Sequence, residues 1–262
     1  TTQVENAIRV AEIVKKINKN IITIVGGNHP TVKPEDFFKK TKAVDLVCFG
    51  EGEFTMLEAS YRLQQEKRLD DIAGTAVMES GNIKINQVRP YIIELDVLPF
   101  PSYHLVDLEK YFILNKKGYE GRPIWRYPGC ERSVSIITSR GCPYNCIFCS
   151  INLHMGKKWR YNSAEYVLNH IELLISKYNV RHIHFEDDNL TFDPDRFEKI
   201  IEGIINKKYN ITWDTPNGVR ADKLTRQLLQ DSKESGCTYV IFGVESGDEK
   251  VLSEIVKKNL DL

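Results

Sequence analysis

The sequence predicts an α/β protein in which a partial open parallel sheet of Rossmann-like type is followed by an incomplete (β/α) barrel. In the first part of the chain, buried-type strands alternate with helices, as they do in open parallel sheets. In the last part, strand and helix units repeat at intervals of roughly thirty residues, as they do in (β/α) barrels. A hairpin and a turn-rich stretch separate the two parts, so three regions are predicted.

Residues 1–72 form the first predicted region. The apolar residues of 1–19 recur at helical spacing and predict a helix. Two runs rich in β-branched residues, "IITIVGG" (21–27) and "AVDLVCFG" (43–50), predict buried strands that end in glycine. A second long helix is expected over 53–65.

Residues 73–132 form a hairpin and linker in this prediction. The segment "GTAVMESGNIKINQ" (74–87) predicts a hairpin with a Ser-Gly-Asn turn. Two prolines in 95–112 indicate a connecting segment, and 118–131 is rich in turn residues.

Residues 133–262 contain four strand-helix units in a row. The predicted strands lie in "SVSIITS", "VRHIHFEDD", "ITWDTPNGVR" and "TYVIFGVESG", and a helix is expected after each. Ser163 and Asp193 are predicted N-caps, Pro194 suits a first helical turn, and Gly236 a helix end.

The ends of these four strands are polar or rich in glycine: "SRGCPYNC", "EDDN", "NGVR" and "GVESG". In (β/α) barrels the active site lies at the carboxyl ends of the strands. One face of this region is therefore predicted to be a functional site.

The composition argues against two classes of protein. Lys+Arg and Asp+Glu both number 36, so the chain lacks the net positive charge typical of nucleic-acid binders. No apolar run has the length of a membrane helix, and no secretory signal is seen. Three of the six cysteines are clustered, which favours metal or redox chemistry in a reducing cytoplasm. The chain opens without Met and both ends look helical, so we expect an internal part of a longer protein.

Cys142, Cys146 and Cys149 lie on a loop that leaves a predicted strand. Three cysteines on a [4Fe–4S] cluster leave one iron without a protein ligand, whereas electron-transfer clusters generally have four. His154, five residues after Cys149, could instead complete a Cys3His zinc site. Buried structural thiols are a third possibility, and the spacing alone leaves these alternatives open.

The loop "SRGCPYNCIFCS", with Phe148 before its last cysteine, resembles the signature of radical S-adenosylmethionine (SAM) enzymes. The resemblance implies that Cys142, Cys146 and Cys149 hold a [4Fe–4S] cluster. The amino and carboxylate groups of SAM would chelate the fourth iron, and Phe148 would lie near the adenine. One electron would then cleave SAM to methionine and a 5′-deoxyadenosyl radical.

Three later segments, "FEDDNLTFD", "NGVRAD" and "FGVESGDEKVL", resemble later strand ends of the same family. The resemblance implies that Asp187 and Asp188 face the site. It also implies that Arg220 meets the SAM carboxylate, and that Glu245 and Ser246 contact polar atoms of SAM. The ordered set favours the iron–sulfur interpretation over zinc.

The segments "VGGNHPTVKPED" and "CFGEGEFTMLE" resemble the second half of the cobalamin-binding domain that precedes the radical SAM domain in one large subgroup. Glycines at strand ends allow a close approach of the backbone to a ligand. The resemblance places these residues near the corrinoid or the domain interface: Gly26, Gly27, His29, Gly50, Glu51, Gly52 and Glu53. For His29 the alternative is a loop residue that packs on Pro30.

The first region would thus be the C-terminal part of a cobalamin-binding domain, and the third the N-terminal part of a radical SAM domain. An Asp-x-His-x-x-Gly motif, which supplies a cobalt ligand in many such domains, is absent from the sequence. We therefore expect the cobalamin site to be incomplete in this chain.

The resemblance implies an enzyme that uses a [4Fe–4S] cluster, SAM and cobalamin on a small-molecule substrate. The expected reactions are methyl transfer to an unactivated carbon, or radical rearrangement or cyclisation. The partner would be an electron donor such as a flavodoxin or ferredoxin, with no membrane or nucleic acid. The alternatives are a zinc-binding Cys3His module and a tRNA methylthiotransferase relative, which would need an RNA-binding domain and a basic face.

His182 and His184 alternate on a predicted strand, so both side chains should lie on one side of it. Such a pair could ligate a metal. We expect the two residues to pack against a neighbouring helix instead.

Overall fold

A computed structural model describes residues 3–119, 130–258 and 260. The chain forms two compact units, each described separately below. The first unit comprises Thr1–Ile93 and Asn152–Met155, and the second comprises Glu94–Ile151 and Gly156–Leu262.

The sheet of the first unit has four strands in the order β1-β2-β3-β4. They are β1 (Ile24–Val25), β2 (Leu46–Cys48), β3 (Thr75–Glu79) and β4 (Asn82–Ile85). The β1–β2 pair is parallel, whereas β2–β3 and β3–β4 are antiparallel. The open parallel sheet is therefore present, and the predicted hairpin joins it.

The hairpin belongs to the first unit because β2 is buried along its whole length. A buried strand must have backbone partners at both edges, and β3 supplies the second set. The turn lies at Ser80 and Gly81, which both have positive φ, as a two-residue hairpin turn requires. The structure thus divides the predicted 73–132 region, and its part from Glu94 onward belongs to the second unit.

Four helices flank this sheet: α1 (Val4–Ile17), α2 (Asn28–Val32), α3 (Glu35–Lys40) and α4 (Glu53–Gln64). Successive residues of a strand point to opposite faces. Val47 accordingly packs in a core with residues of α1 and α3, whereas Leu46 packs with Ala59 of α4.

The second unit contains a wholly parallel sheet with the strand order β10-β9-β8-β5. Its strands are β5 (Ser133–Ile136), β8 (His182–Phe185), β9 (Thr212–Val219) and β10 (Cys237–Phe242). The helices between them are α7 (Ala164–Tyr178), α8 (Pro194–Asn206) and α9 (Arg226–Glu234). This is the incomplete (β/α) barrel that the sequence predicts.

Further elements lie outside these two sheets. An antiparallel ribbon joins β6 (Ser139–Arg140) to β7 (Arg160–Tyr161), and two further helices are α5 (Leu108–Tyr119) and α6 (Ile151–His154). Among the described residues, no helix has both the length and the apolar character needed to cross a membrane.

The main core of the second unit lies between the sheet and its helices. Ile183, Phe185 and Trp213 face this core, where they meet Ile171 and Ile200 of α7 and α8. The other side of the same strands carries His182, His184 and Asp214. The two histidines contact Asp214 and each other, so the expectation that they pack on a helix is wrong. The physical reason is strand alternation, because Ile183 and Phe185 already occupy the helix-facing side.

The predicted helix caps are present. Ser163 accepts a hydrogen bond from the Tyr166 N–H, and Asp193 accepts one from the Arg196 N–H with Pro194 at the first helical position. Gly236 has a φ of 99°, and a Cβ there would lie 2.4 Å from the Ile211 carbonyl oxygen. Only glycine fits this turn between α9 and β10.

The last predicted helix is much shorter than expected. It is a single π-helical turn over Val251–Ile255, and Lys257 follows with a φ of 57°. The Lys258 N–H donates to the Leu252 carbonyl, which turns the chain back toward the strand ends.

The connecting segment from Glu94 packs against α7. The Phe100 ring stacks on the His170 ring with centroids 4.9 Å apart, and the Tyr103 hydroxyl lies 3.0 Å from His170 Nε2. Burial lowers the pKa of His170 to about 4 and is the main cause that raises the pKa of Tyr103 to about 12. Both groups are therefore neutral at pH 7.

Candidate active site

A cavity of about 180 Å³ lies at the carboxyl ends of the strands in the second unit. Its walls come from the segments that follow β5 and β8, from the end of β9, and from the segment after β10. Seven of the residues predicted to form the SAM and cluster sites line it: Cys142, Cys146, Phe148, Cys149, Asp188, Arg220 and Glu245. Asp187 and Ser246 do not.

The loop of the three cysteines is held by backbone hydrogen bonds. The Cys142 N–H donates to the Gly156 carbonyl, and the Cys149 N–H donates to the Cys146 carbonyl. Burial raises the pKa of the Cys142 thiol, and the Asn189 side-chain amide donates to its sulfur at 3.7 Å. Cys149 is exposed, so the thiols form a wall that is open on one side.

Cys142, Cys146 and Cys149 all line the cavity, and His154 is not among its lining residues. Three thiols on one cavity wall suit an iron–sulfur cluster that leaves one iron open to a further ligand.

Asp187 is buried and turned away from the cavity. Its carboxylate accepts hydrogen bonds from the Thr138 N–H at 3.1 Å, from the Thr138 hydroxyl at 2.9 Å, and from the Ser139 hydroxyl. Arg196 also bonds the Thr138 carbonyl and hydroxyl. The resemblance implies that Asp187 faces SAM, but in this structure Asp187 supports the strand end that leads into the cysteine loop.

Asp188 lines the cavity, and its carboxyl reaches solvent there. The partly enclosing protein and the neighbouring Asp187 carboxyl raise the pKa of Asp188 to about 6. A carboxyl at this position can bind a cationic group at neutral pH.

Arg220 is held rigidly at the end of β9. Its guanidinium makes two hydrogen bonds to Asp222, at 3.0 and 2.9 Å, and donates to the Lys258 carbonyl. Its central carbon lies 3.9 Å from the centre of the Tyr144 ring. The two hydrogen bonds to Asp222 hold the flat, charged guanidinium of Arg220 in one orientation on the cavity wall.

Glu245 and Lys258 form an ion pair on the cavity wall, with Nζ and Oε1 3.2 Å apart. Glu245 has a φ of 70°, an unusual conformation for a residue with a side chain, and such strain is often found at functional sites. Lys258 Nζ also donates to the Gly243 carbonyl. The Ser246 hydroxyl instead accepts a hydrogen bond from the Asp248 N–H.

The cavity also contains residues that the motifs do not single out: Tyr144, Asn189, Asn217 and Lys258. Tyr144 and Asn189 lie beside motif residues in the chain, so proximity to the motifs could have suggested them. Nothing in the sequence near Lys258 indicates a role in the site, because the turn at Lys257 brings this residue to the cavity.

In the first unit, the predicted glycine loops follow β1 and β2, which are adjacent and parallel. The Thr31 hydroxyl donates to the Gly27 carbonyl at 2.8 Å and accepts from the Gly50 N–H at 3.0 Å, which ties the loops together. Gly27 and Gly50 have positive φ, and a Cβ on either would meet no atom within 4 Å. The loops therefore present open backbone at Gly27 and Gly50, whereas a Cβ on Gly26 would contact Cys48 at 3.6 Å.

Two polar residues of these loops already contact protein groups. His29 Nε2 lies 3.1 Å from Asp36 Oδ2, and its ring meets the Phe37 ring edge-on. Glu51 accepts a hydrogen bond from the Ile92 N–H. Gly52 precedes α4, and Glu53 begins it. Within this unit, His29 thus interacts with α3.

Two family models match the chain. The model of the Radical SAM superfamily matches residues 136–261, and the model of the B12 binding domain matches residues 1–60. The order is the one that the sequence motifs predict. A B12 binding domain ahead of the cysteine loop does not favour a zinc-binding module or a tRNA methylthiotransferase relative.

Two curated relatives match nearly the whole chain. An uncharacterized methyltransferase of Pyrococcus horikoshii is 34% identical over 257 residues, which cover 98% of this chain and 52% of that protein. Cytidylyl-2-hydroxyethylphosphonate methyltransferase of Streptomyces wedmorensis is 29% identical over 283 residues, which cover 100% of this chain and 51% of that protein. The chain therefore spans about half the length of these relatives.

A solved structure also matches. It is the cobalamin-dependent S-adenosylmethionine radical enzyme OxsB with aqua-cobalamin and S-adenosylmethionine bound. The TM-score is 0.74 at 24% sequence identity, and the match covers 98% of this chain and 36% of that chain. At this identity the likeness concerns the fold, and it confirms the predicted fold class.

Proposed function

This chain belongs to the family of radical SAM proteins that carry a B12 binding domain, and on this premise we propose that it is part of a radical SAM enzyme. The proposed enzyme acts on a small molecule. When bound, a [4Fe–4S] cluster and cobalamin would supply the chemistry for reductive cleavage of SAM, used for methyl transfer to an unactivated carbon or for radical rearrangement or cyclisation of the substrate.

The observation that carries the proposal is the shared cavity. Three thiols form one wall, and charged groups from three other strand ends lie on the remaining walls. Cys142, Cys146 and Cys149 would bind the cluster as thiolates and leave one iron open to a ligand. No single motif predicts this convergence, which requires the four strand ends to meet.

The cavity residues divide by charge in a way that suits the amino-acid part of SAM. Arg220 and Lys258 are cations that can bind a carboxylate, and Asp188 and Glu245 are anions that can bind an ammonium. Because Arg220 is held by Asp222 and by the Lys258 carbonyl, it can orient a ligand carboxylate with little loss of side-chain entropy. Phe148 would offer an aromatic surface to the adenine.

Cobalamin would bind at the glycine loops of the first unit. The open backbone at Gly27 and Gly50 supports this assignment, because a flat corrinoid or its phosphate needs close contact with main chain. The roles of His29, Glu51 and Glu53 would be to shape these loops through their contacts with neighbouring residues.

Methyl transfer is the reaction class that the comparisons support most directly. The relatives from Pyrococcus horikoshii and Streptomyces wedmorensis are both described as methyltransferases. The electron donor would be a flavodoxin or ferredoxin. A cytoplasmic location fits an open cluster iron, because such an iron is damaged by oxygen.

Anaerobic reconstitution with iron and sulfide tests this proposal. We expect about four iron ions per chain and a reduced EPR signal that changes when SAM is added. Cys146→Ala should lose the signal, whereas Cys237→Ala, a cysteine in β10 outside the cavity, should keep it. A colourless protein with one tightly bound zinc ion, or a signal that ignores SAM, would contradict the proposal.

A further inference from the structure

Three ligand-type side chains meet on the side of the barrel sheet that faces away from the helices. His184 and Asp214 are direct neighbours across β8 and β9, and His182 lies opposite Thr212. His184 Nδ1 is 2.7 Å from Asp214 Oδ1, and His182 Nε2 is 3.3 Å from Asp214 Oδ2. One ligand atom from each residue lies within 4.8 Å of the others. None of the three lines the cysteine cavity.

The orientation of His182 is set by a second contact. Its Nδ1 lies 2.7 Å from the Thr212 hydroxyl, and that hydroxyl can donate to the Arg181 carbonyl at 3.5 Å. When Nδ1 carries the proton and donates to Thr212, Nε2 is the ring nitrogen that can bind a metal ion. Metal-binding histidines are commonly held in this way by a hydrogen bond at the other ring nitrogen.

His182 Nε2 and Asp214 Oδ2 are 3.3 Å apart, which is roughly the separation of two ligand atoms that share one metal ion with bonds of about 2.0–2.1 Å. The site is also enclosed, because His182 and Asp214 are fully buried and His184 is 9% exposed.

We propose that His182, His184 and Asp214 bind one divalent transition-metal ion of the zinc or ferrous type. Two imidazole nitrogens and one carboxylate oxygen are typical ligands of these ions, whereas Mg²⁺ and Ca²⁺ prefer oxygen ligands alone. The partly exposed His184 marks the side on which solvent can supply a further ligand. The ion would join β8 to β9, the strands that lead to Asp188 and Arg220.

The test uses the full chain with Cys142, Cys146 and Cys149 all changed to alanine, so that the cysteine loop cannot bind metal. This variant is loaded with Zn²⁺, passed over a desalting column and analysed for metal content. We expect about one zinc ion per chain, and a higher melting temperature than after treatment with a chelator. Co²⁺ in place of Zn²⁺ should give a visible spectrum without thiolate charge-transfer bands.

His184→Gln and Asp214→Asn, each made in the same variant, should reduce the bound zinc at least tenfold. His104→Gln, which changes an exposed histidine of the same unit, should leave it unchanged. Circular dichroism checks that each variant is folded, and His184→Gln is the milder change because its ring reaches solvent. If the parent variant binds no zinc, or if His184→Gln and Asp214→Asn bind as much as the parent, the proposal is wrong. Cluster assembly in the unaltered chain is a separate measurement, so either proposal can fail alone.

Discussion

Asp187 and Asp188 are adjacent in the chain, yet the structure predicts opposite effects when either is changed to asparagine. Asp187 accepts three kinds of hydrogen bond from Thr138 and Ser139, and it is 1% exposed. Asp188 lies in the cavity and reaches solvent. We expect Asp187→Asn to destabilise the fold and Asp188→Asn to affect ligand binding only.

The magnitude for Asp187 follows from its partners. Asparagine keeps the shape but turns an N–H₂ group toward at least one of the hydroxyl or N–H donors of Thr138 and Ser139. A buried polar group left without its hydrogen-bond partner costs about 1–3 kcal/mol. Because asparagine can still accept from Thr138, we expect a loss of about 2 kcal/mol in the free energy of unfolding.

For Asp188→Asn the expected change in the free energy of unfolding has the opposite sign. Its pKa of about 6 lies above the ordinary value of 3.8, so the folded state binds the proton more tightly than the unfolded state. This carboxyl therefore lowers stability above pH 6, and the effect disappears as the pH falls through 6 toward 4. Asp188→Asn should leave the free energy of unfolding unchanged or raise it by at most about 1 kcal/mol, after allowance for solvent screening.

The assay is urea unfolding of both variants at pH 7, followed by cluster reconstitution and SAM titration. Asp187→Asn should shift the unfolding midpoint to lower urea, whereas Asp188→Asn should weaken SAM binding in a fully folded protein. Equal stability of the two variants would refute the reasoning, as would an Asp187→Asn protein of normal stability that no longer binds SAM.

Two further predictions concern stability. The pKa of His170 is about 4 in the folded chain, below its ordinary value of 6.5, so the unfolded state gains a proton first as the pH falls. This residue should therefore cost about 2 kcal/mol of stability between pH 7 and pH 5, as measured by urea unfolding. His170→Gln should remove that part of the pH dependence. Gly236→Ala should lower the free energy of unfolding by about 2–4 kcal/mol, because its Cβ would meet the Ile211 carbonyl. Gly243→Ala should lower it by less than about 1 kcal/mol, because the flexible Lys258 side chain can move aside. Thermal melts compare the two variants, and a Gly243→Ala protein as unstable as Gly236→Ala would contradict this.

Much of the fold could be predicted because local signals agree with it. The caps at Ser163 and Asp193 and the alternation of strands and helices are consequences of neighbouring residues. The hairpin was also predictable from its turn residues, Ser80 and Gly81. Its membership of the first sheet was not, because that depends on the unpaired edge of β2, a distant part of the chain.

The candidate site shows the same division. The spacing of Cys142, Cys146 and Cys149 and the polar strand ends indicate a site by themselves. The chain alone does not show that Asp187 turns inward while Asp188 lines the cavity, since both carry the same carboxyl and lie one residue apart. The two residues lie beyond the end of β8, where the path of the loop separates their side chains, and hydrogen bonds from Thr138 hold Asp187 in the interior.

The sequence by itself determined the family, the fold class, and the order of the strand ends that carry polar groups, because these depend on residue type and short-range spacing. Only the tertiary structure decided which side chains meet. It brings Lys258 to the cavity through a turn at Lys257, and it brings Asp214 between His182 and His184 across two strands. These contacts join residues far apart in the chain, where the register of the sheet and the path of the backbone fix the distances.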